Sequence, residues 1–176
     1  MRVLIIEDEQ AIRENLVDLL KSESIEVLEV SNGMEAFNVL KQEKFDLVIT
    51  DYHMPKMTGL DLIRLCREEG ISVPVICLTG KDSIELRRFA WELGFYDYIE
   101  KSANTEEVVE SVTSFIKMNP ERLKVLIETQ SSPVVRIPFA LIAPKIHKTT
   151  YRGFFEWCDL ENKSLNEMAS SLLSNH

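Results

Sequence analysis

Residues 46–62, DLVITDYHMPKMTGLDL, set four residues suited to burial, Leu47 to Thr50, directly before the bare carboxylate of Asp51. Pro55 and Gly59 then turn the chain and a helical pattern begins. Desolvating a charge is costly, so an apolar run that ends on an ionisable group implies a partner for that charge. The run reads as a buried strand and its sequel as a helix, which makes the stretch one strand–loop–helix unit.

Working outward, the unit recurs. RVLII (2–6) is a short β-branched strand closed by acids, and Ile12, Leu16, Leu19 and Leu20 follow at helical spacing. IEVLEV (25–30) alternates like a strand with one face less buried, Gly33 breaks the pattern, and Ala36, Phe37, Val39 and Leu40 mark a helix. FDLVIT (45–50) leads to TGLDLIRLCREEG (58–70), a helix stopped by Gly70. VPVICLT (73–79) precedes DSIELRRFAWELG (82–94), with Asp82 and Glu85 as its capping pair and Gly94 as its end. YDYIE (96–100) is the fifth strand, and Asn104 with Glu107 opens a last helix to about Met118.

Near-continuous apolar strands joined through helices predict a parallel sheet covered on both faces. In such sheets function gathers at the carboxyl ends of the strands. Those ends carry Glu7 and Asp8, Asp51, Thr79 and Lys101, all polar. Three carboxylates in one crevice repel one another unless a cation joins them, and oxygen ligands with room for water suit Mg²⁺. Asp8 and Asp51 would bind through side chains, Glu7 through water, and His53 through its backbone carbonyl. A carboxylate also serves as a nucleophile that becomes an aspartyl phosphate, with Mg²⁺, Lys101 and Thr79 neutralising the phosphoryl oxygens.

LIIEDE, DLVITDYHMPKMTGLDL, VICLTG and YDYIEK, in that order and each at a strand end, resemble the receiver domain of two-component response regulators over residues 1–118. The resemblance implies a flavodoxin-like (CheY-like) five-stranded parallel, doubly wound sheet of order 2-1-3-4-5. It also implies an acid pair at Glu7 and Asp8, the phosphoacceptor at Asp51, a switch hydroxyl at Thr79, a phosphate-pairing lysine at Lys101 and a switch aromatic at Tyr98. The pattern is not followed throughout. Glu7 stands where the family more commonly has aspartate, and Ser102 follows Lys101 where it usually has proline. Gly80, small like the family's usual residue there, would leave room for a phosphoryl group, and His53 and Lys81 occupy positions that in the family influence the lifetime of the acyl phosphate.

The composition suits a cytoplasmic protein: 45% hydrophobic, 28% charged, without a signal-like opening or an apolar stretch long enough for a bilayer. Cys66, Cys77 and Cys158 show no metal spacing and read as small buried thiols in a reducing compartment. Residues 1–118 hold 13 Lys and Arg against 23 Asp and Glu, a balance of −10, whereas residues 119–176 hold 7 against 6. Neither segment has the basic excess that DNA binding uses, so DNA is not expected as a partner.

Residues 119–176 are expected to form a short atypical output or interaction module of mixed structure, matching no recognised family. MNPERLKVLIETQSSP (118–133) reads as a turn and short helix broken at Pro133, and VVRIPFALIAP (134–144) as extended. Tyr151, Phe154, Phe155 and Trp157 are expected to fill an interface with the rest of the chain; the sharper alternative is an exposed surface for a protein partner or a second copy. Ser164 and Glu167 form a capping box for LNEMASSLL (165–173). That helix faintly resembles the opening of a helix-turn-helix, but a recognition helix is not expected after it. His147 reads as an ordinary surface histidine.

The sequence thus points to a response regulator. It would take a phosphoryl group on Asp51 from a histidine kinase or phosphotransfer protein and pass the change to a protein target or homodimer. The alternatives are a DNA-binding transcriptional regulator and an acid-nucleophile phosphatase. The latter usually has a second aspartate two residues past the nucleophile, where His53 stands here.

Overall fold

The computed structural model describes residues 1–80, 83–101, 105–118, 122–124, 126–127 and 151–174. Five strands, β1 (Arg2–Ile6), β2 (Glu26–Val30), β3 (Leu47–Asp51), β4 (Val75–Thr79) and β5 (Asp97–Glu100), form one sheet. They pair in parallel in the order β2-β1-β3-β4-β5. Helices α1 (Gln10–Ser22), α2 (Gly33–Gln42), α3 (Gly59–Glu68), α4 (Ile84–Glu92) and α5 (Thr105–Ile116) alternate with the strands, and α6 (Tyr151–Leu160) and α7 (Leu165–Ser174) follow.

The strands are short, and their alternate residues serve opposite faces, as the twofold repeat of extended chain requires. Val3, Ile5, Leu47, Ile49, Ile76, Leu78 and Ile99 pack toward α1 and α5, with Leu16, Leu20, Val112 and Phe115. Leu4, Ile6, Val48, Val75, Cys77 and Tyr98 pack toward α2, α3 and α4, with Ala36, Leu62, Ile63 and Ala90. Central strands β3 and β4 are buried at every position, which explains their unbroken apolar sequences. Edge strand β2 buries fully only Val30, consistent with the alternating acids of its sequence.

Turn chemistry fixes most helix ends. Thr58 and Asp61 form a reciprocal capping box at α3, and Gly70 and Gly94 adopt φ of 74° and 70° just past α3 and α4. Gly33, where the strand pattern breaks, is the first residue of α2, and the Asn32 side chain caps it by accepting a hydrogen bond from the Glu35 N–H. One boundary differs from the sequence expectation. The α4 cap is Ser83 rather than Asp82: its side chain accepts from the Leu86 N–H, one residue later than the sequence pattern suggested. Asp82 itself, Lys81, Ser102, Asn104, the 134–144 stretch and His147 lie outside the described residues.

The aromatics of α6 fill an interface with the rest of the chain. Tyr151, Phe154, Phe155 and Cys158 are buried in the same apolar cluster as Trp91, Tyr96 and Phe115. Ser164 and Glu167 form their capping box at α7: the Glu167 carboxylate accepts from the Ser164 N–H at 2.8 Å, and Met168 and Leu172 are buried. All three cysteines are buried and unpaired with one another. Among the described residues, no helix is long and apolar enough to cross a membrane.

Candidate functional site

The parallel pairing brings the carboxyl ends of β1, β3 and β5 into one crevice. Asp51 closes β3, Glu7 and Asp8 follow β1, and Lys101 follows β5. Glu7 is fully buried, Asp51 is 3% exposed, and Asp8 stands partly open at the rim. The Lys101 ammonium donates to Asp51 Oδ2 at 2.8 Å and to Glu7 Oε1 at 3.1 Å. It bridges groups that lie 50 and 94 residues away in sequence. The awkward charge at the end of the apolar run therefore has its partner.

The backbone around the crevice is held tightly. The Lys101 N–H donates to the Thr79 carbonyl and the Tyr52 N–H to the Leu78 carbonyl, each at 2.7 Å, which locks β3, β4 and β5 in register where the charges meet. Thr79 closes β4 and is fully buried. The His53 N–H donates to Asp51 Oδ1 at 3.2 Å, orienting the carboxylate. Gly59 begins α3 against the Asp51 carbonyl oxygen so closely that a Cβ there would overlap it.

Burial pushes the Glu7 carboxyl above the ordinary glutamate range; the Lys101 bond opposes this and the Asp51 charge adds to it. Burial works against the Lys101 ammonium, but its bonds to Asp51 and Glu7 outweigh that and hold it above the ordinary lysine value. Carboxylate oxygens of Glu7, Asp8 and Asp51 lie within 4.8 Å of one another. Glu7 Oε2, 3.0 Å from the Lys101 nitrogen, is buried without a hydrogen-bond donor of its own. A hard-oxygen cluster with a coordination-ready oxygen fits a divalent cation such as Mg²⁺.

Tyr98 lies on β5, 5% exposed, among Leu86, Ala90 and Phe95. Its ring belongs to the core in this arrangement rather than to the surface. Sequence reasoning missed three residues that shape the region. Arg13 donates to the Glu7 carbonyl at 2.7 Å and pairs with Glu29 at 3.1 Å, pinning the acidic turn. Thr50 Oγ1 donates to the Asp51 carbonyl at 3.1 Å. Asp97 is wholly buried on β5 and accepts from Ser111 and Arg152. An acid among the apolar residues of YDYIE was the available signal for the last of these; Arg13 offered none.

The family model described as the response regulator receiver domain matches residues 3–113. A "Probable transcriptional regulatory protein" of Picosynechococcus is 31% identical over 86% of this chain and 62% of its own. The cell cycle transcriptional regulator CtrA of Caulobacter vibrioides is 29% identical over 73% of this chain and 56% of its own. The chain thus spans a little over half the length of these relatives. Among solved structures, a receiver domain protein from Clostridium thermocellum superposes with a TM-score of 0.61 at 29% identity, covering 71% of this chain and 98% of that one. The Thermotoga maritima response regulator TrrA, solved in complex with Mg²⁺ and BeF, gives 0.58 at 32% identity over 65% and 97%.

Proposed function

The chain belongs to the response regulator receiver family, and from that premise we propose that Asp51 is its phosphoacceptor. One observation supports this above the others: the Asp51 carboxylate is buried at a strand end, 2.8 Å from the Lys101 ammonium and within an acidic cluster with Glu7 and Asp8. An Asp51 oxygen attacks the phosphorus of a phosphohistidine on a kinase or phosphotransfer protein. The new O–P bond forms as the N–P bond breaks, and the departing imidazole takes up a proton.

Glu7, Asp8, Asp51 and the His53 carbonyl would hold Mg²⁺, which when bound offsets the charge of the phosphoryl oxygens. The Thermotoga relative, solved with Mg²⁺ and BeF, supports that choice of cation. In this chain the His53 N–H steers the Asp51 carboxylate, and Lys101, released from its bridge, follows the transferred group to one of its oxygens. The Thr79 hydroxyl takes another, and inward movement of Thr79 biases Tyr98, so that the surface around α4, β5 and α5 changes state. The chain turns over only its own acyl phosphate, since His53 stands where a hydrolase of the acid-nucleophile kind would place its acid–base aspartate.

Residues 1–118 act as the receiver and residues 119–176 as a short interaction module, with a protein target or a second copy as the output. A second reading, output on DNA, draws on the names of the relatives, which include transcriptional regulators. The near-neutral balance of residues 119–176 favours the protein output. A DNA shift assay at graded salt separates the two. Incubation with acetyl phosphate and Mg²⁺, followed by intact mass and size-exclusion, tests the main reading. It expects one phosphoryl group per chain, absent in Asp51→Asn; an adduct persisting in that variant refutes it.

A further inference from the structure

The turn between β1 and α1 carries Glu7 and Asp8, and the side chain at its N-cap position does nothing to fix it. Glu9 occupies that position in extended backbone, yet its side chain makes no cap bond. Arg13, one helical turn further on, holds the turn instead. Its Nη1 donates to the Glu7 carbonyl at 2.7 Å and to the Asp8 carbonyl at 3.4 Å, and its Nε pairs with Glu29 of edge strand β2 at 3.1 Å. The Arg13 side chain is only 16% exposed, so these bonds form largely out of water. The Glu7 N–H donates to the Val30 carbonyl at 3.2 Å, which makes a second tie between the turn and β2.

We propose that Arg13 is a positioning residue: by clamping the carbonyls of the acidic turn to β2, it sets the spacing of the Glu7 and Asp8 carboxylates and makes the crevice selective for Mg²⁺ over Ca²⁺. The inference rests on the reading of that crevice as a cation site. A residue's carbonyl and side chain leave from the same Cα–C unit, so fixing two successive carbonyls restricts where both carboxylates can point. The planar guanidinium aims separate donors at the turn and at Glu29 together, which the single ammonium of a lysine does not do. Spacing matters because Mg²⁺ demands near-ideal octahedral geometry with short bonds, whereas Ca²⁺ accepts longer and less regular ones. Charge alone acts in the opposite sense. A guanidinium beside the carboxylates of Glu7, Asp8 and Asp51 repels a cation, so its removal would tighten binding if electrostatics were its whole effect.

The test titrates the full chain and its Arg13→Gln and Arg13→Lys variants with MgCl₂ alone and with CaCl₂ alone. Amide NMR shifts of residues 7–9 and 51–53 report binding without any phosphoryl donor. Arg13→Gln should bind Mg²⁺ about tenfold more weakly and Ca²⁺ only about twofold more weakly. Arg13→Lys keeps the charge but not the fork, and should lose about threefold in Mg²⁺ affinity. Mg²⁺ affinity unchanged or raised in Arg13→Gln, or equal losses for the two ions, overturns the inference. Parental Mg²⁺ affinity in Arg13→Lys also overturns it, because charge rather than the fork would then hold the turn. Arg13→Lys decides the question if Arg13→Gln fails to fold. A parent chain that binds neither ion overturns the cation site itself, an outcome distinct from the failure of the clamp alone.

Discussion

Lys101→Met isolates the central electrostatic feature of the crevice. Methionine keeps much of the length of the lysine stem but removes an ammonium that lies 2.8 Å from Asp51 and 3.0 Å from Glu7. At an effective dielectric constant of about 20, each unit-charge pair some 3 Å apart is worth roughly 5–6 kcal/mol before desolvation. Burying the ammonium offsets much of this, and what remains is the cost of leaving two buried carboxylates facing each other, about 3 kcal/mol. For a chain of this size that lowers Tm by roughly 6–12 °C. The loss should be largest in EDTA. A divalent cation and Lys101 act on the same oxygens, so millimolar Mg²⁺ should restore more stability to the variant than it adds to the parent. Urea denaturation followed by circular dichroism, in EDTA and in MgCl₂, measures both quantities. A variant within about 0.5 kcal/mol of the parent in EDTA, or an equal response to Mg²⁺, would refute the bridge as the element that holds the Asp51 side chain in place at its strand end.

Gly59→Ala should cost about 1–3 kcal/mol or more and slow acquisition of phosphate, because its Cβ collides with the Asp51 carbonyl and with Thr50 Oγ1; thermal melts and adduct time courses report the two effects. The thiols should resist a maleimide in the native protein at about pH 7, since burial holds Cys66 and Cys158 at about 11 and Cys77 higher still; intact mass should show three additions only after denaturation. Docking of α6 and α7 should weaken on acidification. The bond from Arg122 holds Asp159 below the ordinary aspartate range, and the Ser164 hydroxyl does the same for Glu167. Groups with lowered values add stability above their unfolded pKa and lose it as pH falls through the folded one, so near-UV ellipticity from the Trp91–Tyr151 stack should decline between about pH 5 and pH 3.

Much of the receiver architecture was legible because each strand carries its own period and each helix its own stop. The unbroken apolar strands implied a parallel sheet, and the polar residue after each implied a crevice. Strand order was not legible in periodicity and came from the resemblance of four motifs. The Asn32 and Ser83 caps were missed because cap choice depends on which side-chain oxygen faces the first free N–H groups, and neighbouring residues of similar chemistry compete for that role. Arg13 and Asp97 were missed for a different reason. Their partners are a backbone carbonyl and residues 14 and 55 positions away, and pairings of that kind exist only once the sheet and its helices are assembled. The aromatic run at 151–157 signalled burial, yet nothing in it specified the face it covers.

The most direct measurement is the identity of the modified residue. Chains treated with acetyl phosphate and Mg²⁺ are reduced with borohydride, which converts an aspartyl phosphate to homoserine, and then mapped by tandem mass spectrometry. Homoserine is expected at position 51 alone, and none when Lys101 is intact but Asp51 is asparagine. Homoserine at position 8 or elsewhere, or a fully intact aspartate at 51 after a phosphoryl mass has been recorded, would contradict it.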